Sequence, residues 1–309
     1  MIGTEKMIDV CLLGTGGTMP LPERALTALA IRYNGSTFLV DCGEGTQVQL
    51  RKKGLSMHDI DVIFITHFHA DHIVGLPGLL LSMAKCDRTA PVSIVAPKGA
   101  SFVIRSLCVT APVMPFDINI TEMHEKQESF FFNGINVSAQ QADHSATCYA
   151  YSFELKRSGK FDPVRARELN IDVKLWKQLQ RGESVISGDQ TFTPDMVLGK
   201  PRKGLKITYC TDTRPTEDIV LLAESSDLLI CEGMYAEDDK LKMAIDKKHM
   251  LFSEAAGIAG KSRSAELWLT HFSPSLSDPY QYEEYAKSLF KNTVIPHDLE
   301  STELMFNNV

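Results

Sequence analysis

Short apolar runs bounded by turn residues recur along most of this chain. Residues 7–13 alternate weakly between apolar and polar positions, which predicts a first strand closed by a tight turn at Gly14-Thr15-Gly16-Gly17. Residues 27–33 and 36–40 flank Asn34-Gly35, a pair that favours the positive φ angles of a two-residue hairpin turn. The second of these strands runs into Asp41-Cys42-Gly43-Glu44-Gly45-Thr46, and a short helix follows as far as Gly54, which suits its C-terminal cap. Val62-Ile63-Phe64-Ile65 reads as a buried strand, and Leu76-Pro77-Gly78 opens a helix with proline in its first turn. Further strands are predicted over 92–95, over 135–142 after the Asn133-Gly134 turn, and over 148–155, 207–210, 228–231 and 267–269. Helices fit between them, among them 100–107 and a helix 253–259 with Ser253 as its N-cap. Strands alternating with helices place the chain in the α/β class.

The polar residues at the ends of these runs change the picture. Asp41, His67, His144, Asp212, Glu232 and His271 each fall just past the carboxyl end of an apolar strand. Ligand sites in α/β sheets lie at that edge, so the six are expected to converge. The densest stretch is Thr66-His67-Phe68-His69-Ala70-Asp71-His72, three imidazoles and a carboxylate on the loop between a strand and a helix. In near-extended backbone His67 and His69 point the same way, and the turn that follows brings Asp71 and His72 beside them. Imidazole and carboxylate are zinc ligands, and with His144, Asp212 and His271 they exceed what one ion takes. Two ions are therefore expected, and manganese or iron would suit the same nitrogen and oxygen donors as zinc. Asp41 is either a solvated turn residue or the partner that orients a ligand or loop. His58, His124 and His297 lack this context and read as structural or exposed.

At 309 residues and 44% hydrophobic content, the chain has enough apolar material for a sizeable core. Its longest apolar run, residues 73–84, is broken by Pro77 and two glycines and falls short of the roughly 20 residues a bilayer requires, so no membrane span is expected. No signal-peptide pattern precedes the first strand. The seven cysteines form no C-x-x-C pair, and buried free thiols in a reducing cytoplasm are expected. Gly14-Thr15-Gly16-Gly17 is a poor dinucleotide fingerprint, since Met19 stands where the third glycine belongs. A net charge of −7 argues against nucleic acid as a partner until its distribution is considered. Residues 156–182 hold eight basic side chains against three acidic ones, a surplus of five that leaves the rest of the chain at −12.

With these residues in view, the chain resembles ribonuclease Z, a family of endonucleases on the metallo-β-lactamase fold that remove 3′ trailers from precursor tRNA. The marks are Gly14-Thr15-Gly16, the stretch from Asp41 through Gln47, the 66–72 cluster, His144, Thr211-Asp212-Thr213, Glu232, His249 and Thr270-His271. The H-x-H-x-D-H pattern is specific for the fold and shared by many hydrolases. The resemblance implies a four-layer αββα sandwich over 1–309, with His67, His69 and His144 on a first zinc, Asp71, His72 and His271 on a second, and Asp212 bridging. It implies a hydroxide between the ions as nucleophile, Asp71 as proton acceptor, and His249 paired with Glu232 at the leaving 3′ oxygen. Residues 156–205 would be an inserted arm gripping tRNA, with Lys160, Arg165, Arg167, Lys174 and Lys177 on phosphates. Arg24 would contact the cleavage region, and the protein would work as a cytoplasmic homodimer. The chain departs from the family pattern in three places. Asn170-Ile171-Asp172-Val173 replaces a Gly-Pro element, the loop 20–25 keeps only its arginine, and His249-Met250-Leu251 replaces His-Ser-Thr. Two alternatives stay open: a hydrolase of a small phosphodiester or ester on the same fold, and a catalytically impaired RNA-binding relative.

Overall fold

The computed structural model describes residues 7–111, 113–188 and 190–306. The chain forms two compact units, one made of the residues up to Phe153 and from Lys206 onward, the other of Glu154–Leu205. Along the chain the strands are β1 (Met7–Gly14), β2 (Ala28–Tyr33), β3 (Ser36–Val40), β4 (Ile60–Phe64), β5 (Val92–Pro97), β6 (Ile118–Met123), β7 (Gln127–Phe132), β8 (Ile135–Gln141), β9 (Tyr149–Arg157), β10 (Val185–Ser187), β11 (Gln190–Phe192), β12 (Arg202–Cys210), β13 (Leu228–Glu232), β14 (Leu267–Thr270), β15 (Thr293–Val294) and β16 (Ser301–Met305).

Two seven-stranded sheets build the larger unit, in the orders β16-β1-β2-β3-β4-β5-β6 and β15-β14-β13-β12-β9-β8-β7. β3 through β6 run parallel in the first, and β12 through β15 run parallel in the second. Every residue of β3, β13 and β14 is buried, as befits parallel strands covered on both faces. Aromatic side chains fill the space between the sheets. Phe64 of β4 packs on Tyr151 and Phe153 of β9 at ring separations of 5.2 and 5.3 Å, and on Phe132 of β7 at 5.9 Å. Helices Leu76–Lys85 and Ala100–Leu107 cover the outer face of the first sheet through Leu76, Leu79, Leu80, Met83 and Ile104. Helices Glu217–Leu222, Phe252–Ser262 and Glu283–Leu289 cover the second through Ile219, Phe252, Ala255, Ile258 and Ala286. The layers are therefore αββα, the metallo-β-lactamase arrangement.

The local signals act as chemistry requires. Asn34 and Gly35 turn the β2–β3 hairpin with φ of 52° and 82°. Gly54 ends the helix Thr46–Lys53 in the left-handed region at φ 74°. One cap differs from expectation: the helix expected to start at Ser253 starts at Phe252, and Ser253 lies inside it. Its first turn is held by Glu254, whose carboxylate accepts the Leu251 amide at 3.0 Å. All seven cysteines are free, but Cys86 and Cys108 are only half-buried, because they sit at helix ends where the apolar cover thins. Among the described residues no helix is long and apolar enough to cross a membrane.

The smaller unit has its own core. Helices Pro163–Glu168 and Val173–Gln180 and the β10–β11 hairpin bury Ala166, Ile171, Leu179, Val185, Phe192 and Val197, with Phe161, Leu169, Leu175 and Trp176 packed around them. Asp162 and Asp172 cap the two helices through their side chains. Lys160, Arg165, Arg167, Lys174 and Lys177 are all exposed on this unit. Arg165 pairs with Glu168 at 3.8 Å, and Arg167 lies over the Trp176 ring at 5.8 Å.

Candidate metal centre

The site stands at the carboxyl edge of the parallel strands. Asp41 follows β3 directly, the 67–72 cluster follows β4, Asp212 lies two residues past β12, Glu232 ends β13 and His271 follows β14. Asp41, Asp212 and His271 all adopt the left-handed region, with φ of 60°, 47° and 58°. The turn carrying His72 packs so closely on the loop after Asp41 that a Cβ on Gly75 would lie 2.0 Å from the Gly43 carbonyl oxygen, so glycine is required there. The backbones are tied at the same place, Cys42 N–H to the His72 carbonyl at 2.7 Å and Gly75 N–H to the Cys42 carbonyl at 2.9 Å.

Asp212 stands between two groups of side chains. Its Oδ2 lies 3.6 Å from His67 Nε2 and 3.7 Å from His144 Nε2, and His144 Nε2 lies 3.3 Å from His69 Nδ1. Its Oδ1 lies 3.3 Å from His72 Nε2 and 3.2 Å from His271 Nε2. Asp71 joins the second group, with Oδ2 3.3 Å from His271 Nε2 and 3.5 Å from His72 Nε2. Donor atoms of His67, His69, His144 and Asp212 fall within 4.8 Å of one another, as do those of Asp71, His72 and His271. Asp212, His249 and His271 satisfy the same limit, a combination not expected from the sequence.

Donor atoms this close favour a positive charge among them, supplied by a bound cation or by His72, whose pKa burial would lower but Asp212 and Asp41 raise. His67 Nε2 and Asp212 Oδ1 are buried with no hydrogen-bond partner, a costly state that a cation would relieve. Burial pushes the pKa of His67 and His144 down, which keeps both rings neutral and able to ligate. Burial would raise Asp212, but His271, His72 and His67 outweigh it and hold the carboxyl well below its ordinary range. In Asp71 burial acts the same way, and His271 and His72 again prevail, so it too is a carboxylate. The donor set of these groups, imidazole nitrogen and carboxylate oxygen, fits divalent metal ions.

The groups behind the ligands are as ordered as the ligands. Asp41 is fully buried and accepts from His72 Nδ1 at 2.7 Å and from the Thr66 amide at 2.8 Å. That contact sets the His72 tautomer and turns Nε2 toward Asp212. The loop after β1 serves the same end. Thr18 N–H donates to Asp71 Oδ2 at 2.6 Å, and a Cβ on Gly17 would strike the His271 ring at 2.6 Å. His144 Nδ1 meets the Lys248 carbonyl at 3.1 Å.

Arg24, expected to contact the cleavage region, is 7% exposed, and its guanidinium is spent on the carbonyls of Ser273, Leu276 and Ser277 at 3.0 to 3.3 Å. Burial lowers its pKa, and it braces the 273–277 loop from inside instead of facing a ligand. Thr18, Met234, Tyr235, Lys247 and the 273–275 loop line a cavity of about 590 Å³ together with His69, Asp71, His144, Asp212, His249 and His271. These lining residues were not anticipated, since nothing in their sequence context separates them from ordinary loop positions. His249 Nδ1 lies 3.0 Å from Glu232 Oε2, while Glu232 Oε1 accepts the Thr213 amide at 2.6 Å. Burial would lower the His249 pKa, but Glu232 and then Asp212 outweigh it and raise it to about 9.

Comparison with known proteins decides the family. A protein from Agathobacter rectalis called ribonuclease Z is 52% identical over 301 residues, covering 97% of this chain and 99% of its own length. Another ribonuclease Z, from Lachnoclostridium phytofermentans, is 50% identical with the same coverage of both chains. The chain belongs to the ribonuclease Z family. A family model described as anti-Pycsar protein Apyc1 also matches, over residues 8–197, a span that holds the 67–72 cluster and His144 but stops short of Asp212, His249 and His271. The structure of human tRNase Z, short form, superposes with a TM-score of 0.69 at 24% identity, covering 95% of this chain and 98% of that one. YhfI from Bacillus subtilis, a metallo-β-lactamase fold protein, gives 0.68 at 18% identity, covering 96% and 99%. At these identities the two structures speak for the fold alone. In this member of the ribonuclease Z family, the His and Asp side chains expected at the centre lie in one cluster, and Arg24 is buried against the 273–277 loop.

Proposed function

We propose that this ribonuclease Z family member is a metal-dependent endoribonuclease that removes 3′ trailers from precursor tRNA by hydrolysing one phosphodiester. The observation that carries the mechanism is Asp212, whose two oxygens face two separate groups of ligands in one cavity. His67, His69 and His144 would hold one divalent ion, Asp71, His72 and His271 a second, with Asp212 shared. Two zinc ions per chain are proposed, with manganese or iron as chemically equivalent occupants. When bound, such a pair activates water and offsets the charge that grows on the phosphoryl oxygens.

The chain's own residues supply the rest. Asp71, ionised and pinned by the Thr18 amide, faces the cavity and accepts the proton lost by the attacking water. As the new P–O bond forms, the bond from phosphorus to the 3′ oxygen breaks, and that oxygen needs a proton. With Nδ1 held by Glu232, His249 has Nε2 left to donate, and its raised pKa keeps it charged at neutral pH. The exposed cations of the smaller unit would hold the tRNA backbone by charge alone, without reading sequence. By the same resemblance the enzyme is expected to act as a homodimer in the cytoplasm.

A hydrolase confined to small phosphodiesters is favoured by one observation, the withdrawal of Arg24 from the cavity. A single assay separates the two. Purified protein with zinc or manganese is given precursor tRNA bearing a 3′ trailer beside bis-p-nitrophenyl phosphate. One cut near the trailer junction supports the proposal, and turnover of the small diester with intact tRNA replaces it by the second reading.

A further inference from the structure

Arg214 lies outside every role assigned so far, yet it touches three of the loops that form the site. Its backbone N–H donates to the Asp143 carbonyl at 3.0 Å, next to His144, and it lies two residues beyond Asp212. Its side chain is 16% exposed and reaches the third loop. There Nη1 donates to the His249 carbonyl at 2.5 Å and to Glu254 Oε2 at 2.8 Å, while Nη2 meets Glu254 Oε1. Glu254 Oε2 in turn accepts the Leu251 amide at 3.0 Å. A bidentate guanidinium–carboxylate pair thus clasps the turn 249–251 from both sides. The turn is also anchored by the buried Met250 and Leu251 and by the Phe252 amide on the Tyr235 carbonyl at 3.0 Å, and the His249 amide donates to the Ala244 carbonyl at 2.8 Å, but Arg214 is the side chain that donates to the His249 carbonyl. A planar fork with fixed donors suits such a clasp better than a lysine would.

We infer that Arg214, locked by Glu254, is a positioning residue that sets the direction in which His249 presents its proton to the leaving oxygen. The inference rests on the reading of His249 as the acid and adds the device that aims it. Arg214 touches neither substrate nor reacting atoms. It acts through the His249 carbonyl, so its loss should be felt only where the leaving group needs a proton.

Leaving-group chemistry tests this. Precursor tRNA is prepared with the natural 3′ oxygen at the scissile bond or with a 3′ bridging sulfur, whose thiolate departs unprotonated. Wild type, His249→Ala, Arg214→Met, Arg214→Lys and Glu254→Gln are compared on both, with metal content measured on each protein. Arg214→Met is expected to lower kcat on the oxygen substrate by about 100-fold, the low end of a general acid's contribution, with KM little changed. On the sulfur substrate it should fall within a few-fold of wild type. Arg214→Lys, which keeps one donor, and Glu254→Gln, which keeps the shape of the clasp, should be intermediate, and either serves alone if Arg214→Met does not fold. An equal loss on both substrates, a changed metal content, or no loss on either would overturn the inference. If His249→Ala itself loses equally on both substrates, the acid assignment falls and this inference with it. If His249→Ala is rescued by sulfur and the Arg214 variants are not, only the inference falls.

Discussion

Changing Asp41→Asn isolates one hydrogen bond behind the centre. In the native protein, only Oδ2 of Asp41 meets His72, while the Thr66 hydroxyl lies 3.0 Å from both oxygens. Oδ1 accepts the Thr66 amide at 2.8 Å and the Thr66 hydroxyl at 3.0 Å, and Oδ2 takes His72 Nδ1 at 2.7 Å. An asparagine keeps its carbonyl for Thr66 and presents an NH₂ to His72. Two donors then face each other, and the conflict is relieved only if the imidazole proton moves to Nε2. That is the atom 3.3 Å from Asp212 and 3.1 Å from His271 Nε2, so the lone pair needed for a metal is lost. Removing such an orienting partner typically costs 10- to 100-fold in metal affinity, or about 1.4 to 2.7 kcal/mol. A charge-assisted hydrogen bond is independently worth about 1.5 to 3 kcal/mol, so the two routes agree. The assay is competitive titration with a chromophoric chelator, which should show one of two ions weakened by that factor and the other held nearly as before. Unchanged affinity at both sites, in a variant as stable as wild type, would refute the reasoning, because it would mean His72 is oriented by something other than Asp41.

Four further outcomes are expected. Asp212→Ala removes the carboxylate that faces both ligand groups, so turnover should fall by several orders of magnitude and both ions should be lost together; full activity would end the dinuclear assignment. Replacing residues 159–201 by a short linker removes the smaller unit's core and its exposed cations, and should raise KM for precursor tRNA while sparing bis-p-nitrophenyl phosphate; equal loss on both would make the unit part of the hydrolase scaffold. Arg24→Ala strips donors from three carbonyls at roughly 1 kcal/mol each, so thermal unfolding should show a loss of about 2 to 3 kcal/mol with near-native kinetics per folded molecule; a selective rise in KM for tRNA at unchanged stability would return Arg24 to the substrate. His249, raised to about 9 by Glu232, is protonated below that pH, so activity should decline as pH rises through about 9, and Glu232→Gln should move the decline downward; a limb that stays put in the variant would separate the pH dependence from this pair.

What the sequence discloses is the set of residue types that have few other reasons to occur together. His67, His69, Asp71 and His72 stand within six positions after an apolar strand, and the fold sets them on one side of Asp212 and the other. Asp41, Asp212 and His271 stood out because apolar runs end one or two residues before them. Strands with weak alternation escaped: β16 is paired to β1 over Ser301–Met305, yet its polar residues give no apolar run to notice. The role of Arg24 came from the resemblance alone, and no local signal announces that the carbonyls of a loop some 250 residues away take its guanidinium. The clasp of Arg214 and Glu254 was hidden for a related reason. The partners lie 40 residues apart, and an exposed-type ion pair has the same composition as a buried one.

The left-handed backbone at Asp41, Asp212 and His271 accounts for how these three side chains meet at the strand ends. A side chain on the next residue of a continuing strand would alternate to the opposite face, away from the loop edge. Turning φ positive at that residue swings the side chain over the sheet's end instead, where three loops can meet. For a residue with a Cβ this costs on the order of 1 kcal/mol or more, so three such residues are a standing expense that packing must offset. For Asp41 the offset is visible, in the Thr66 and His72 hydrogen bonds. For Asp212 it is not, because Oδ1 is buried without a hydrogen-bond partner among the described residues, with the His72 and His271 rings beside it. A cation between the ligand groups would supply that offset. If a cation binds there, its removal is expected to lower the thermal midpoint, because the left-handed turn at Asp212 then loses that offset.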